Sequence, residues 1–140
     1  MEVVRRNTDY SLRAMLNLAR HYNDGPVSTR KVAAEEDVSY QLACKLMQRL
    51  HDAKLVESSM GPKGGFRLSR EPSRINVLQI IEAIQGPLSL NKCLLNADAC
   101  SRQSHCAVNE RLAELQETMD VYLGGITLEE LCNGHNGQKE

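Results

Sequence analysis

The sequence predicts a mainly α-helical fold carrying one small β-hairpin, and three observations predict it. Apolar residues recur at helical spacing in successive segments, several of those segments open on a capping residue, and two short extended runs flank a single Gly/Pro-rich turn. At 140 residues the chain suits one compact domain with an appendage, large enough to bury a core without disulfides.

From Thr8 to His21, Leu12, Met15, Leu16 and Ala19 keep a helical period, with Thr8 or Asp9 able to cap the start. This first helix ends before Asn23-Asp24-Gly25-Pro26. Ser28 caps a short second helix to Glu36 with Val32 and Ala33 as its buried positions, and Asp37-Val38 breaks the pattern. Ser39 then caps a third helix in which Leu42, Leu46, Leu50 and Ala53 line one face. Two helices joined by a tight turn, the second longer and polar outside, make a helix-turn-helix. Leu55 to Met60 and Phe66 to Ser69 flank the turn Gly61-Pro62-Lys63-Gly64-Gly65 and read as a hairpin, the wing of that motif.

Asn76 caps a fourth helix with Val77, Leu78, Ile80, Ile81 and Ile84 on a broad apolar face, ended by Gly86-Pro87. Residues 88–106 show no clear period, and an irregular segment of that length in a compact protein commonly has a function. The helical period returns at Ala107 as Val108, Leu112, Leu115, Met119 and Tyr122 and runs to Gly124-Gly125. A single apolar stripe with charge on its far side must pack against the front domain or a second copy. Thr127 followed by Glu130 is a capping box for a last short helix. The predicted organisation is therefore a winged helix-turn-helix domain at 1–87, a cysteine loop at 88–106, a long dimerisation helix with a short terminal helix at 107–132, and a disordered tail at 133–140.

The formal net charge is −1, but it is unevenly placed. Residues 1 to 74 hold 13 Lys or Arg against 9 Asp or Glu, whereas residues 75 to 140 hold 4 against 9. A basic front and an acidic back suggest different tasks. One Phe, four Tyr and no Trp argue against a base-stacking platform for single strands and favour duplex DNA as the nucleic-acid partner. The N-terminal stretch lacks the apolar centre of a signal peptide, and no apolar run approaches the roughly 18 to 20 residues of a membrane span. A cytoplasmic protein without membrane contact is expected.

Ser39, Tyr40, Gln41, Cys44 and Lys45 at the start of the third helix face base edges and phosphates in this reading, Gln being able to pair bidentately with adenine. Ser28 opens the preceding helix and joins the DNA-contacting set, while Arg49 and Lys54 lie further along to hold the backbone.

Five cysteines form no disulfide framework in a chain without an export signal. Cys93, Cys100 and Cys106, with six and then five residues between them, place three soft thiolates in one irregular segment. Thiolates suit iron-sulfur clusters, zinc or copper(I), yet the spacing matches neither the close pairs of zinc sites nor the four-cysteine ferredoxin pattern. Spacing alone leaves a metal centre and ordinary free thiols both open. Cys44 and Cys132 are far from the trio in sequence, and neither is assigned to its centre.

Taken together, TDYSLRAMLNLA at 8–19, DVSYQLACKLMQRL at 37–50, GPKGGFRLSR at 61–70, INVLQIIEAIQGPLSL at 75–90, the three-cysteine segment and ITLEEL at 126–131 resemble the Rrf2 family of bacterial regulators. The resemblance spans nearly the whole chain. It implies a transcription regulator, more often a repressor, acting as a homodimer on a palindromic double-stranded operator. It also implies a 2Fe–2S or 4Fe–4S cluster on Cys93, Cys100 and Cys106 whose state, answering to redox, nitric oxide or iron-sulfur status, alters DNA affinity. Members that sense iron-sulfur status place a His three residues after the last Cys, where this chain has Asn109. Members that respond to nitric oxide use an Asp in the TDY segment of the other subunit, and Asp9 stands at that place; His105 is a further candidate. The family puts Ser39 to Lys45 in the major groove and the wing tip in the minor groove. Relatives often carry an Arg before the wing's Gly-Pro, whereas here Met60 leaves Lys63 and Arg67 as the nearest cations.

Two other readings compete. One is a winged-helix regulator whose cysteines bind zinc or react directly with oxidants. The other is a cluster-containing enzyme or electron carrier, against which stand the lack of a Gly-rich phosphate loop and of a recognisable nucleophile-base set.

Overall fold

The computed structural model describes residues 2–90 and 106–136. Within them the chain forms α1 (Arg6–Arg20), α2 (Thr29–Glu35), α3 (Tyr40–Asp52), β1 (Val56–Ser59), β2 (Gly65–Leu68), a 3-10 turn (Pro72–Arg74), α4 (Val77–Gln85), α5 (Ala107–Gly124) and α6 (Leu128–Asn136). The mainly α winged helix-turn-helix predicted from sequence is the fold observed.

Helix α1 begins two residues before the expected cap. Arg5 is its N-cap and contributes no side-chain hydrogen bond. Thr8, expected as a cap, is instead buried inside the first turns and donates its hydroxyl to Gln85 Oε1 at 2.7 Å. The same carboxamide accepts from the Arg5 backbone N–H at 3.0 Å and donates to the Val3 carbonyl at 2.8 Å. A side chain at the far end of α4 thus performs the capping, and local propensity is overridden.

The serine caps behave as read. Ser28 Oγ accepts from the Lys31 N–H and Ser39 Oγ from the Leu42 N–H, each at 3.2 Å. Both helices stop in left-handed turns made by non-glycine residues. Asp37 (φ 54°) ends α2, with the Val38 N–H donating to the Ala33 carbonyl; Lys54 (φ 63°) ends α3, with the Leu55 N–H donating to Leu50. The buried face of α3 is Ala43, Leu46, Met47 and Leu50. Leu42 is only half-buried and Ala53, the C-cap, is exposed, so the expected stripe is rotated by the packing of α2 and α4 around the helix.

The wing pairs Val56 with Leu68 and Ser59 with Gly65. A further bridge was not legible in sequence: Val27, just before α2, exchanges two 2.8 Å hydrogen bonds with Phe66 and ties the wing to the helix-turn-helix. Gly65 permits that approach, because a Cβ there would collide with the Val27 carbonyl oxygen.

Asn76 and Gln79 form a reciprocal capping box for α4. Thr127 Oγ1 accepts from the Glu130 N–H at the start of α6. Val77 N–H to Ile126 and Leu128 N–H to Ile75 then stitch the end of the chain to the front domain. Helix α6 packs on α1 and extends past Cys132 to Asn136, so residues 133–136, expected in a disordered tail, are helical. The core is closed by Met15, Leu18, Met47, Leu50, Ile75, Ile80 and Leu128, all essentially inaccessible. Each contributes about 1.5 to 3 kcal/mol by leaving water. Among the described residues no helix is long and apolar enough to cross a membrane.

Candidate nucleic-acid interface and thiolate site

The Asp37 turn joins the end of α2 to the start of α3, and the buried Asn17 on α1 braces it through a 2.9 Å hydrogen bond to Glu36; Arg30, near the start of α2, lies against Tyr40 at the start of α3. Ser28, Ser39, Tyr40, Gln41 and Lys45 are exposed there and Cys44 is half-buried. The two serine oxygens are occupied as caps, but each hydroxyl keeps a proton to donate. Tyr40 lies beneath Arg30, whose guanidinium carbon is 4.4 Å from the ring centroid. The neighbouring Cys44 thiol raises the Tyr40 phenol above its ordinary value, the Arg30 charge acting in the opposite sense.

The cations expected to hold DNA are not equivalent. Arg49 directs Nη1 at the Ile84 carbonyl of α4 (3.3 Å), and Arg67 faces its cross-strand neighbour Glu57 (3.5 Å). Lys45 and Lys63 are exposed and make no ion pair among the described residues. At the wing tip Met60 is 96% exposed. Arg30 was absent from the sequence reading, since one arginine on a short helix carries no pattern; only its position over Tyr40 distinguishes it.

Cys93 and Cys100, like His105, lie outside the described residues. Cys106 is the N-cap of α5 and is half-buried. One turn on, Asn109 has its Oδ1 buried with no hydrogen-bond partner among the described residues. A buried carboxamide oxygen left unpaired is costly, and with the Cys106 thiol one turn before it this end of α5 suits a polar centre. The chain leaves the described region at Leu90, whose N–H donates to Gln116 Oε1 at 3.0 Å. Gln116 stands ten residues beyond Cys106, about 15 Å along the helix, well within reach of the chain between them. A cavity of about 160 Å³ opens at this root, lined by Arg5, Gln85, Leu88, Gln116 and Met119 among others. Asp9 is half-exposed and paired with Arg13 at 2.9 Å. Among the described residues of this single chain, no three His, Cys, Asp or Glu side chains converge.

Helix α5 repeats its apolar residues at alternating steps of four and three from Val108 to Tyr122, the signature of a coiled-coil seam. Met119 and Leu123 rest on a patch made by Val77, Ile81 and Leu88, while Val108, Leu115 and Tyr122 remain exposed.

The family pattern named Rrf2, described as iron-dependent transcriptional regulator, matches residues 4–134. The chain belongs to the Rrf2 family. Among Rrf2 relatives, the HTH-type transcriptional regulator IscR of Photobacterium profundum is 33% identical over 130 residues, covering 93% of this chain and 75% of the relative. IscR of Xenorhabdus nematophila is 32% identical over 122 residues, covering 87% and 74%. Of solved structures, T. potens IscR superposes with a TM-score of 0.79 at 27% identity, covering 98% of this chain and 91% of that one. CymR, the global cysteine regulator of B. subtilis, does so with a TM-score of 0.77 at 26% identity, covering 95% and 98%. This Rrf2 chain is accordingly a winged-helix, DNA-binding transcription regulator, and its relatives argue against an enzyme or electron carrier.

Proposed function

We propose that this Rrf2 protein is a homodimeric repressor whose occupancy of a palindromic duplex operator is set by an iron-sulfur cluster on Cys93, Cys100 and Cys106, with Asp9 of the partner subunit as fourth ligand. The observation that carries this reading is the position of Cys106. It caps the same helix whose exposed seam of Val108, Leu115 and Tyr122 calls for a second copy. Whatever holds the Cys106 thiolate therefore also positions the start of the helix that pairs two subunits. The likeness to IscR supports the cluster, and the buried Asn109 Oδ1, unpaired among the described residues, supports a polar centre beside that thiol.

A bound cluster supplies a redox-active, gas-reactive iron centre. The chain's own residues do the rest. Ser28, Ser39, Tyr40, Gln41, Cys44 and Lys45 approach the major groove; Arg49 steadies the backbone; Lys63 and Arg67 serve the wing. Residues 1–87 form the DNA-binding unit, 88–106 the ligand segment and 107–132 the pairing helices. Ligation of the three thiols shifts the spacing of the two α3 helices between two states that differ in operator affinity.

The test is anaerobic purification followed by an absorption spectrum with iron and sulfide analysis, on the native chain and a Cys93→Ala, Cys100→Ala, Cys106→Ala variant. A brown native protein and a colourless variant with altered operator binding are the expected results. A colourless, iron-free native protein overturns the cluster. The second reading, zinc-bound or directly oxidant-reactive thiols, would then stand; likeness to the cysteine regulator CymR favours it over an unrelated role.

A further inference from the structure

We infer that Arg30 is a guanine-reading residue of the DNA interface, set in place by stacking on Tyr40. The inference rests on the reading of α3 as the helix that enters the major groove, and it adds a residue and a base preference to that reading.

Arg30 is exposed on α2 and makes no ion pair among the described residues, unlike Arg13 with Asp9 and Arg67 with Glu57. Its guanidinium instead lies on the Tyr40 ring at 4.4 Å, closer than either arginine that approaches Tyr10 (5.6 and 5.9 Å). A guanidinium that meets a ring through its face keeps its in-plane N–H fork available to a further partner. The long arginine side chain is thus ordered before DNA arrives, which lowers the entropy lost on binding.

The destination of the fork follows from where the stack sits. The first helix of such a motif crosses the phosphate backbone, whereas the N-terminal residues of the second contact base edges. Arg30 belongs to the first helix, yet its head rests on Tyr40, the first residue of α3 and 44% exposed. The charge is carried from the backbone-crossing helix to the leading edge of the reading helix. There the bidentate fork matches guanine O6 and N7.

The experiment is selection of binding sites from a random duplex pool by the full-length native chain and by Arg30→Ala, Arg30→Lys, Tyr40→Phe and Tyr40→Leu. Titrations against single-base variants of the selected site at several salt concentrations follow. The expected result is one G·C pair per half-site whose preference falls about 10- to 100-fold in Arg30→Ala and equally in Arg30→Lys. Other positions should be unchanged, Tyr40→Phe should retain the preference and Tyr40→Leu should weaken it. If Arg30→Ala weakens every sequence alike and lowers the salt slope by about one while Arg30→Lys restores both, Arg30 touches phosphate and the inference fails. An Arg30→Ala chain that selects the native site with native affinity also overturns it. A native chain that enriches no site, with cluster or without, removes the α3 reading itself and this inference with it.

Discussion

Helices α4 and α5 lie against one another, yet α4 hides Val77, Ile80, Ile81 and Ile84 whereas α5 hides no residue at all. Helix α4 is covered on several sides, by α1, α3 and α5, so its broad apolar face is used within the chain. Helix α5 has a narrower stripe, which meets the Val77, Ile81 and Leu88 patch through Met119 and Leu123. An amphipathic helix draws most of its stability from burying its apolar face. The apolar face of α4 is therefore self-sufficient within the chain, whereas Val108, Leu115 and Tyr122 of the α5 stripe are left exposed.

The largest expected effect falls on the self-sufficient side. Ile80→Ala should lower the unfolding free energy by about 2 to 5 kcal/mol, read as a displaced urea midpoint at unchanged slope. A loss below 1 kcal/mol would show that α4 is not central to the core. On the other side of the comparison, Leu115→Glu places a charge in the exposed seam. It should weaken self-association at least tenfold, about 1.4 kcal/mol or more, halving the mass seen by sedimentation while the melting of the front domain shifts little. Native and variant chains of equal mass would mean that α5 pairs with something other than a second copy. The smallest change lies in the turn between α2 and α3, where Asp37 adopts φ 54°. Asp37→Gly relieves a left-handed backbone but loosens the unfolded chain, for a net gain of about 0.5 kcal/mol. A clear loss on thermal melting would show that the Asp37 side chain has a role of its own.

How far the sequence could be read depended on how far apart the deciding residues were. Ser28, Ser39, Asn76 and Thr127 cap helices through neighbours three positions away, and all four were legible. Thr8 was misread as a cap because its partner is Gln85, 77 positions along the chain. Of the expected α3 stripe Leu46 and Leu50 are buried, but Ala43 and Met47 complete the face in place of Leu42 and Ala53 because they meet the neighbouring helices. At the candidate DNA surface, the place of the serines, Tyr40, Gln41 and Lys45 at helix starts was legible, and all five are exposed there. That Arg49 turns to the Ile84 carbonyl, that Arg67 faces Glu57, and that Arg30 rests on Tyr40 could not be read from spacing. The thiols were found by residue type, with Cys93 and Cys100 outside the described residues.

The sequence by itself determined the helix periods, the caps, the Gly/Pro turn of the wing and the thiolates available to a metal. These follow from residues within about a turn of one another or from side-chain chemistry alone. Only the tertiary structure decided that Gln85 ties the N-terminal arm to α4, that Val27 joins the wing, that residues 126–128 are sewn to 75–77, and that Arg30 is carried onto the leading edge of α3. Each depends on groups brought together from distant points of the chain, where no local period marks the partner and packing selects it.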